Sequence, residues 1–93
     1  MGVVHGGILS MILDSAMGCA VYSTLPPGVS YTTVDLHVTF VRPVTAESGR
    51  LRAEGRALHT GNRVATSEGR LVDATGRLVA HGVETCFVLG PTR

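Results

Sequence analysis

The sequence predicts an α+β fold in which a curved antiparallel sheet wraps one long buried helix, within a single domain spanning residues 1–93. Three observations predict this fold. A helical stretch near the amino terminus is apolar on all sides, at least four later segments have the pattern of long strands, and the connections between the later strands are short. A sheet that curls around the helix is the arrangement that buries the apolar surfaces of both.

The helix is predicted between Ile8 and Val21, where apolar side chains occupy every helical face. Gly6 and Gly7 precede this stretch and leave room for close approach, and the unpaired N–H groups of the first helical turn point into that space. The segment LPPG at residues 25–28 ends the helix and starts a loop.

The first strand is predicted in TTVDLHVTFV, residues 32–41, because polar and apolar residues alternate there. One face carries the apolar side chains of Val34, Leu36, Val38 and Phe40. The other face carries the polar side chains of Thr33, Asp35, His37 and Thr39. Such a strand has one buried and one polar face.

Three further strands are predicted at residues 50–59, 63–73 and 77–89. The segments that separate them are HTGN at 59–62 and DATG at 73–76, and both are rich in turn-forming residues. The DATG segment is a strong hairpin signal, so the last two strands should be antiparallel neighbours.

The composition predicts self-association. The chain is 44% hydrophobic and only 16% charged, which is a high apolar share for a small monomeric domain. A chain of this length leaves much of its surface exposed unless a partner covers it, so we expect a homodimer or a homotetramer. The eight arginines are scattered and the formal net charge is +1, which gives no electrostatic case for nucleic acid binding.

Nothing in the sequence predicts export, membrane insertion or a metal site. No stretch reaches the roughly 18 to 20 uninterrupted apolar residues of a spanning helix, and the first helix lacks the features of a signal peptide. Cys19 and Cys86 have no metal-ligand spacing, and His37, His59 and His81 are dispersed. A reducing cytoplasm suits the two cysteines, although a disulfide between them is the alternative.

A carboxylate lies in the middle of the apolar helix. Asp14 stands among Ile12, Leu13 and Met17, and the helix contains no lysine or arginine. An ionised carboxylate is costly to remove from water unless it is paired, hydrogen-bonded or neutralised. A lone helical aspartate in an arbitrary protein usually reaches solvent or caps another group. The apolar neighbours of Asp14 favour a functional role instead.

The helix start and Asp14 together suggest acyl transfer. The amides of Gly6 and Gly7, with the helix dipole, would stabilise a carbonyl oxygen that becomes negative, although both can equally be packing glycines. Asp14 would attack a thioester carbonyl or activate a water. Gly6 and Asp14 lie about 12 Å apart along one helix, too far to act on one carbonyl group. Two antiparallel helices related by a two-fold axis would create two equivalent shared sites.

Three segments in order, HGGILSMILDSAMG, TTVDLHVTFVRPV and HTGNRVATSEGRLVDATGRLVAHG, resemble the hotdog-fold acyl-CoA thioesterases. More specifically, they resemble the phenylacetic-acid-degradation type within the 4-hydroxybenzoyl-CoA thioesterase superfamily. The resemblance covers nearly the whole chain. It implies a hotdog fold and a hydrolase for a small aryl or medium-chain acyl-CoA, with the site at a dimer interface and no cofactor besides the CoA of the substrate.

The resemblance also implies roles for individual residues. Asp14 takes the place of the catalytic nucleophile or general base, and the Gly6 amide polarises the thioester carbonyl, with Gly7 beside it. Thr33 matches a serine or threonine that positions the attacking water or the acid, and an ordinary strand threonine is an equal alternative. His5 is expected to order the loop at the helix start by a hydrogen bond rather than to assist polarisation itself.

The turn of Gly61, Asn62 and Arg63 matches a family segment beside the pantetheine and nucleotide of CoA. An arginine there can bind phosphate in bidentate fashion, although an arginine next to a turn is usually just solvated. Asp35 shares a strand face with His37, and we interpret it as a structural residue and not as a second catalytic acid.

The amino terminus departs from the family pattern. Members usually carry a further helix and strands before the H-G-G motif, together with an Asn or Gln that helps to bind the carbonyl, whereas only residues 1–4 precede the motif here. Missing strands would leave an edge or apolar patch for oligomerisation to cover. A catalytically weak module that binds acyl-CoA or another acyl ligand is therefore the main alternative. A hotdog dehydratase fits less well, because its acid pairs with a histidine near the helix.

Overall fold

One α-helix and four antiparallel strands form the part of the chain that the computed structural model describes, residues 2–90. The helix and strands are α1 (Gly6–Tyr22), β1 (Ser30–Phe40), β2 (Arg52–Thr60), β3 (Val64–Val72) and β4 (Leu78–Leu89), with a 3-10 turn at Ala46–Ser48 before β2. The predicted helix and four strands are confirmed, with bounds that shift by one or two residues. No helix among residues 2–90 has the length and apolar character needed to span a membrane.

The strands form one sheet in the order β1-β4-β3-β2. The predicted hairpin between β3 and β4 is confirmed, and Asp73 organises its turn. Asp73 Oδ1 accepts hydrogen bonds from the backbone N–H groups of Thr75 at 2.9 Å and Arg77 at 3.0 Å, and Gly76 adopts a φ of 85°. The pKa of Asp73 is lowered to about 2, chiefly because the Thr75 hydroxyl also donates to it.

β1 lies at an edge of the sheet and contains a β-bulge. Its register against β4 shifts between Thr33 and Asp35, so that Thr33 lies opposite Cys86 while Leu36 lies opposite Glu84. Thr33 and Leu36 therefore share the face that meets the helix. The predicted alternation, which placed these two residues on opposite faces, is wrong at this point, because the one extra residue of a bulge reverses the phase of the strand.

The sheet covers one side of α1. The buried residues of the helix recur every three or four positions, and they are Leu9, Leu13, Met17, Gly18 and Val21. On the opposite side, Ile8, Met11 and Tyr22 are exposed. The sequence predicts burial on every helical face, whereas a sheet of four strands reaches only one side of the helix in the single chain.

Three glycines, Gly55, Gly69 and Gly82, lie directly opposite one another in β2, β3 and β4. We call them the glycine row. A Cβ atom at Gly55 would collide with the backbone carbonyl of Ala16, and one at Gly69 would lie 2.7 Å from Cγ of Met17. The absence of side chains lets the middle of α1 approach the sheet backbone closely. This approach fixes the depth at which the helix presents its central residues.

Candidate active site

Asp14 lies in the middle of α1 and is half-buried. The hydroxyl of Thr33 on β1 is 3.4 Å from Oδ1 of Asp14 and also 3.4 Å from Oε1 of Glu84 on β4. A threonine hydroxyl has one proton, so it donates to only one of the two carboxyl groups at a time. Thr33 therefore bridges the helical acid and a second acid that the sheet supplies.

Glu84 is almost completely buried, with 1% of its surface exposed. The Cys86 thiol donates to Oε1 at 3.1 Å, whereas Oε2 has no hydrogen-bond partner in the described part of the chain. The pKa of Glu84 is raised to about 7, chiefly by burial and also by interaction with Asp14. None of the salt bridges within residues 2–90 includes either acid.

Glu84 is a residue of the site that the sequence did not predict. The available signal is the alternation in β4, where Glu84 stands two residues from both Gly82 and Cys86 and thus shares their face. The bulge after Thr33 is the second feature that the sequence did not predict. It turns the Thr33 hydroxyl toward Asp14 and Glu84. The structure thereby brings together Asp14 and Thr33, which the family resemblance paired, and adds the unexpected carboxyl of Glu84.

The helix start presents one free amide. His5 precedes the first turn, and its Nδ1 accepts the backbone N–H of Gly7 at 2.8 Å. This bond is the loop-ordering contact that the sequence predicts for His5, and it places the ring proton on Nε2. Within residues 2–90 the N–H of Gly6 donates to no acceptor. Gly6 rather than Gly7 therefore offers a donor to a ligand.

The chain does not bring the Gly6 amide to Asp14. The two residues occupy the first turn and the middle of the same helix, about 12 Å apart along its axis. Asp14 has Thr33 and Glu84 as its neighbours, while a Cβ at Gly6 would point at the ring of Phe40. Each chain thus carries two separated halves of the predicted site.

The predicted CoA-binding turn connects β2 and β3. The Gly61 N–H donates to the carbonyl of Val64 at 2.9 Å, and the Arg63 carbonyl accepts the N–H of Val88 at 2.8 Å. Asn62 and Arg63 are exposed, and Arg63 forms no salt bridge within residues 2–90. The turn thus holds a guanidinium at the surface without an acidic partner among the described residues.

Asp35 lies apart from this site. It is opposite Thr85 in the register of β1 against β4, and it adjoins Leu36, which faces the helix. Adjacent residues of a strand point to opposite faces, so Asp35 faces away from the helix. This placement agrees with the interpretation of Asp35 as a residue outside the site.

The arrangement offers no metal centre among the described residues. Within residues 2–90, no group of three or more His, Cys, Asp or Glu side chains could hold a metal ion. Cys19 is exposed, Cys86 is buried, and both are free thiols. What the described residues do offer is a pair of carboxyl groups bridged by the Thr33 hydroxyl and, at the helix start, a backbone donor without a partner in residues 2–90.

Comparison with known families identifies the class. A family model described as the thioesterase superfamily matches residues 1–80. The chain belongs to this family, and the predicted membership is confirmed. A curated protein of Halobacterium salinarum, provisionally named an esterase, is 34% identical over 94 residues, which cover 99% of this chain and 60% of that protein. This chain spans about 60% of the length of the curated relatives it matches.

Two proteins of known crystal structure are similar to this chain in both sequence and fold. A Bacillus halodurans protein solved with CoA is 39% identical, with a TM-score of 0.86 over 94% of this chain and 56% of that one. A Ralstonia eutropha protein, provisionally a thioesterase and related to phenylacetic acid degradation, is 37% identical, with a TM-score of 0.85 over 92% of this chain and 63% of that one. The predicted hotdog fold is therefore confirmed.

Proposed function

We propose that this chain hydrolyses the thioester bond of an acyl-CoA, with a small aryl or medium-chain acyl group, at a site shared by two copies of the chain. The observation that carries the proposal is the pairing of half-buried Asp14 with Thr33, on a helix whose Gly6 amide has no acceptor within residues 2–90. The CoA bound to the Bacillus halodurans relative supports the choice of substrate class. The cytoplasmic location stays a prediction.

The proposed mechanism divides the work between two protomers. The Gly6 N–H of one protomer and the positive end of its helix dipole polarise the thioester carbonyl. Asp14 of the second protomer accepts a proton from a water molecule as the water oxygen bonds to the carbonyl carbon. The carbon–sulfur bond then breaks, and the leaving thiolate takes the proton from Asp14. The Thr33 hydroxyl holds the Asp14 carboxyl in the orientation that this exchange requires.

Recognition of the CoA portion is assigned to the turn between β2 and β3. Arg63 is exposed and has no internal acidic partner within residues 2–90, which leaves its guanidinium available for a phosphate of CoA. Gly61 and Asn62 would lie beside the pantetheine chain. The acyl group would lie between the two protomers, where side chains of both select its size.

The direct test measures release of free CoA from a panel of aryl and aliphatic acyl-CoA thioesters, with a chromogenic thiol reagent. We expect release above the buffer rate for at least one thioester, and its loss in Asp14→Asn. Calorimetric binding of the same thioesters is measured in parallel. Binding without any Asp14-dependent release would contradict hydrolysis and identify a binding module instead.

The shared site is tested by mixing two inactive variants. Gly6→Pro removes the N–H at the first helical position, where proline is tolerated, and should reduce kcat by on the order of a hundredfold. Asp14→Asn is expected to be inactive because it lacks the general base. In an equal mixture refolded together, half of the dimers are mixed and each carries one intact site, so about one quarter of the wild-type activity should return.

Gly6→Ala is the matched control, since it adds a Cβ toward the same Phe40 ring but keeps the N–H. It should retain much more activity than Gly6→Pro. No return of activity in the mixture, with mixed dimers verified by mass spectrometry, would place each site within one chain and contradict the two-protomer mechanism.

A further inference from the structure

The Glu84 carboxyl is the most buried acidic group among the described residues, and hydrolysis by Asp14 alone gives it no role. It lies beside the half-buried Asp14, and Oε2 has no hydrogen-bond partner within residues 2–90. An ionised carboxylate with an unpartnered oxygen in such a place would carry the full penalty of desolvation. A protonated carboxyl avoids that penalty and turns an unpaired acceptor into a donor.

On the basis of the proposed hydrolysis, we propose that Glu84 is a positioning residue that keeps one proton in the Asp14–Glu84 pair and donates it as a hydrogen bond to the Asp14 carboxylate. The contact of both acids with the Thr33 hydroxyl supports this assignment. Thr33 lies 3.4 Å from one oxygen of each acid, so it can donate to Asp14 while Glu84 supplies its own proton. Asp14 is then held ionised and oriented by two donors.

Among residues 2–90, the groups around the Asp14–Glu84 pair add no positive charge. From β4, the Cys86 thiol donates to Glu84 Oε1, and from β1 the phenol of Tyr31 interacts with both acids. Burial raises the pKa of Tyr31 and raises that of Cys86 to about 12, so both stay neutral at physiological pH. From β3, Ser67 lies opposite Glu84 and uses its hydroxyl on the Met17 carbonyl. Repulsion between the two acids is therefore relieved by the proton that they share.

The protonation state of the Asp14–Glu84 pair determines whether the site is active. With one proton, Asp14 is ionised and correctly held. When Glu84 loses its proton, it stops donating and repels the neighbouring carboxylate, so Asp14 loses its orientation. The raised pKa of about 7 places this second ionisation near neutral pH. The alkaline limb of kcat therefore reports loss of the proton that the two carboxyl groups share.

The kinetic test compares three variants across pH. Wild-type kcat should fall on the alkaline side near neutral pH. Glu84→Gln keeps a donor that does not titrate, so this alkaline limb should disappear. Glu84→Leu removes the donor and should lower kcat by on the order of tenfold to a hundredfold with little change in KM. Cys86→Ala removes a hydrogen bond that lowers the pKa of Glu84, so the limb should move to higher pH. An unchanged profile in Glu84→Gln would overturn the proposal.

A second readout does not depend on activity. With carbon-13 in the glutamate carboxyl groups, the four glutamates give four signals, and one should titrate near neutral pH in the wild type, vanish in Glu84→Gln and titrate at lower pH in Asp14→Asn. Folding is checked on the same samples by amide spectra. Such a signal in a protein without thioesterase activity would retain the proton-sharing pair and reject the proposed hydrolysis. Its absence in the folded wild type would reject the pair.

Discussion

Replacing Asp14 by asparagine is expected to lower kcat for acyl-CoA hydrolysis by roughly a thousandfold, within the range that general-base catalysis contributes. Asparagine keeps the size of the side chain and can still accept the Thr33 hydrogen bond, but it cannot take a proton from water. KM should change little, because the substrate is bound by other groups. Steady-state kinetics at pH 6, where Glu84 keeps its proton, gives the measurement.

Asp35→Asn is the matched control for this result. It makes the same chemical change on the outer face of β1, on a strand that also carries Thr33. Its kcat should stay within about twofold of the wild-type value, as is usual for surface changes away from a site. Equal activity of Asp14→Asn and the wild type, or equal losses in both variants, would contradict the assignment of Asp14.

Replacing Gly55 by alanine is expected to destabilise the fold by about 1–3 kcal/mol, the usual range for overpacking. The added Cβ would collide with the backbone carbonyl of Ala16, and backbone atoms cannot turn aside as a side chain can. For a domain of this size the midpoint of thermal unfolding should fall by roughly 5–20 °C. Thermal denaturation followed by circular dichroism, at one fixed protein concentration, measures the change.

Gly90→Ala provides the comparison for Gly55→Ala. A Cβ at Gly90 would meet no atom of residues 2–90 within 4 Å, so the same substitution introduces no collision with the described part of the chain. Its unfolding midpoint should stay within about 2 °C of the wild-type value. A Gly55→Ala protein as stable as Gly90→Ala would show that the helix can move away from the sheet without loss, and that the close approach does not hold the centre of α1 in place.

The sequence predicts the elements of this fold well because their signals are local. The apolar run of α1, the alternation of β1 and the turn residues of DATG each specify a structure within a few residues of chain. The burial of α1 on one side only has no such local signal. It depends on how far four strands reach around a helix, and no local pattern records that.

The candidate site is predicted only in part, for reasons visible in β4. Val83 and Phe87 are apolar, so hydrophobicity alone would turn their face inward and leave Glu84 in solvent. The structure reverses this orientation, with Val83 and Phe87 about half exposed and Glu84 buried. Asp14 could be singled out because its immediate neighbours are apolar, whereas the surroundings of Glu84 come from α1 and β1. The local sequence pattern of β4 does not record these contacts with residues that are distant in the sequence.

The bulge in β1 has a consequence for how the hydroxyl beside Asp14 would survive insertions and deletions. Loss of the extra residue, Val34, would restore simple alternation and leave Thr33 opposite Cys86, on the face that meets the helix. Loss of Thr33 itself, with the bulge kept, would bring Thr32 to the same position, because the two threonines are adjacent. The tandem pair makes the site tolerant of a deletion that would otherwise remove its hydroxyl.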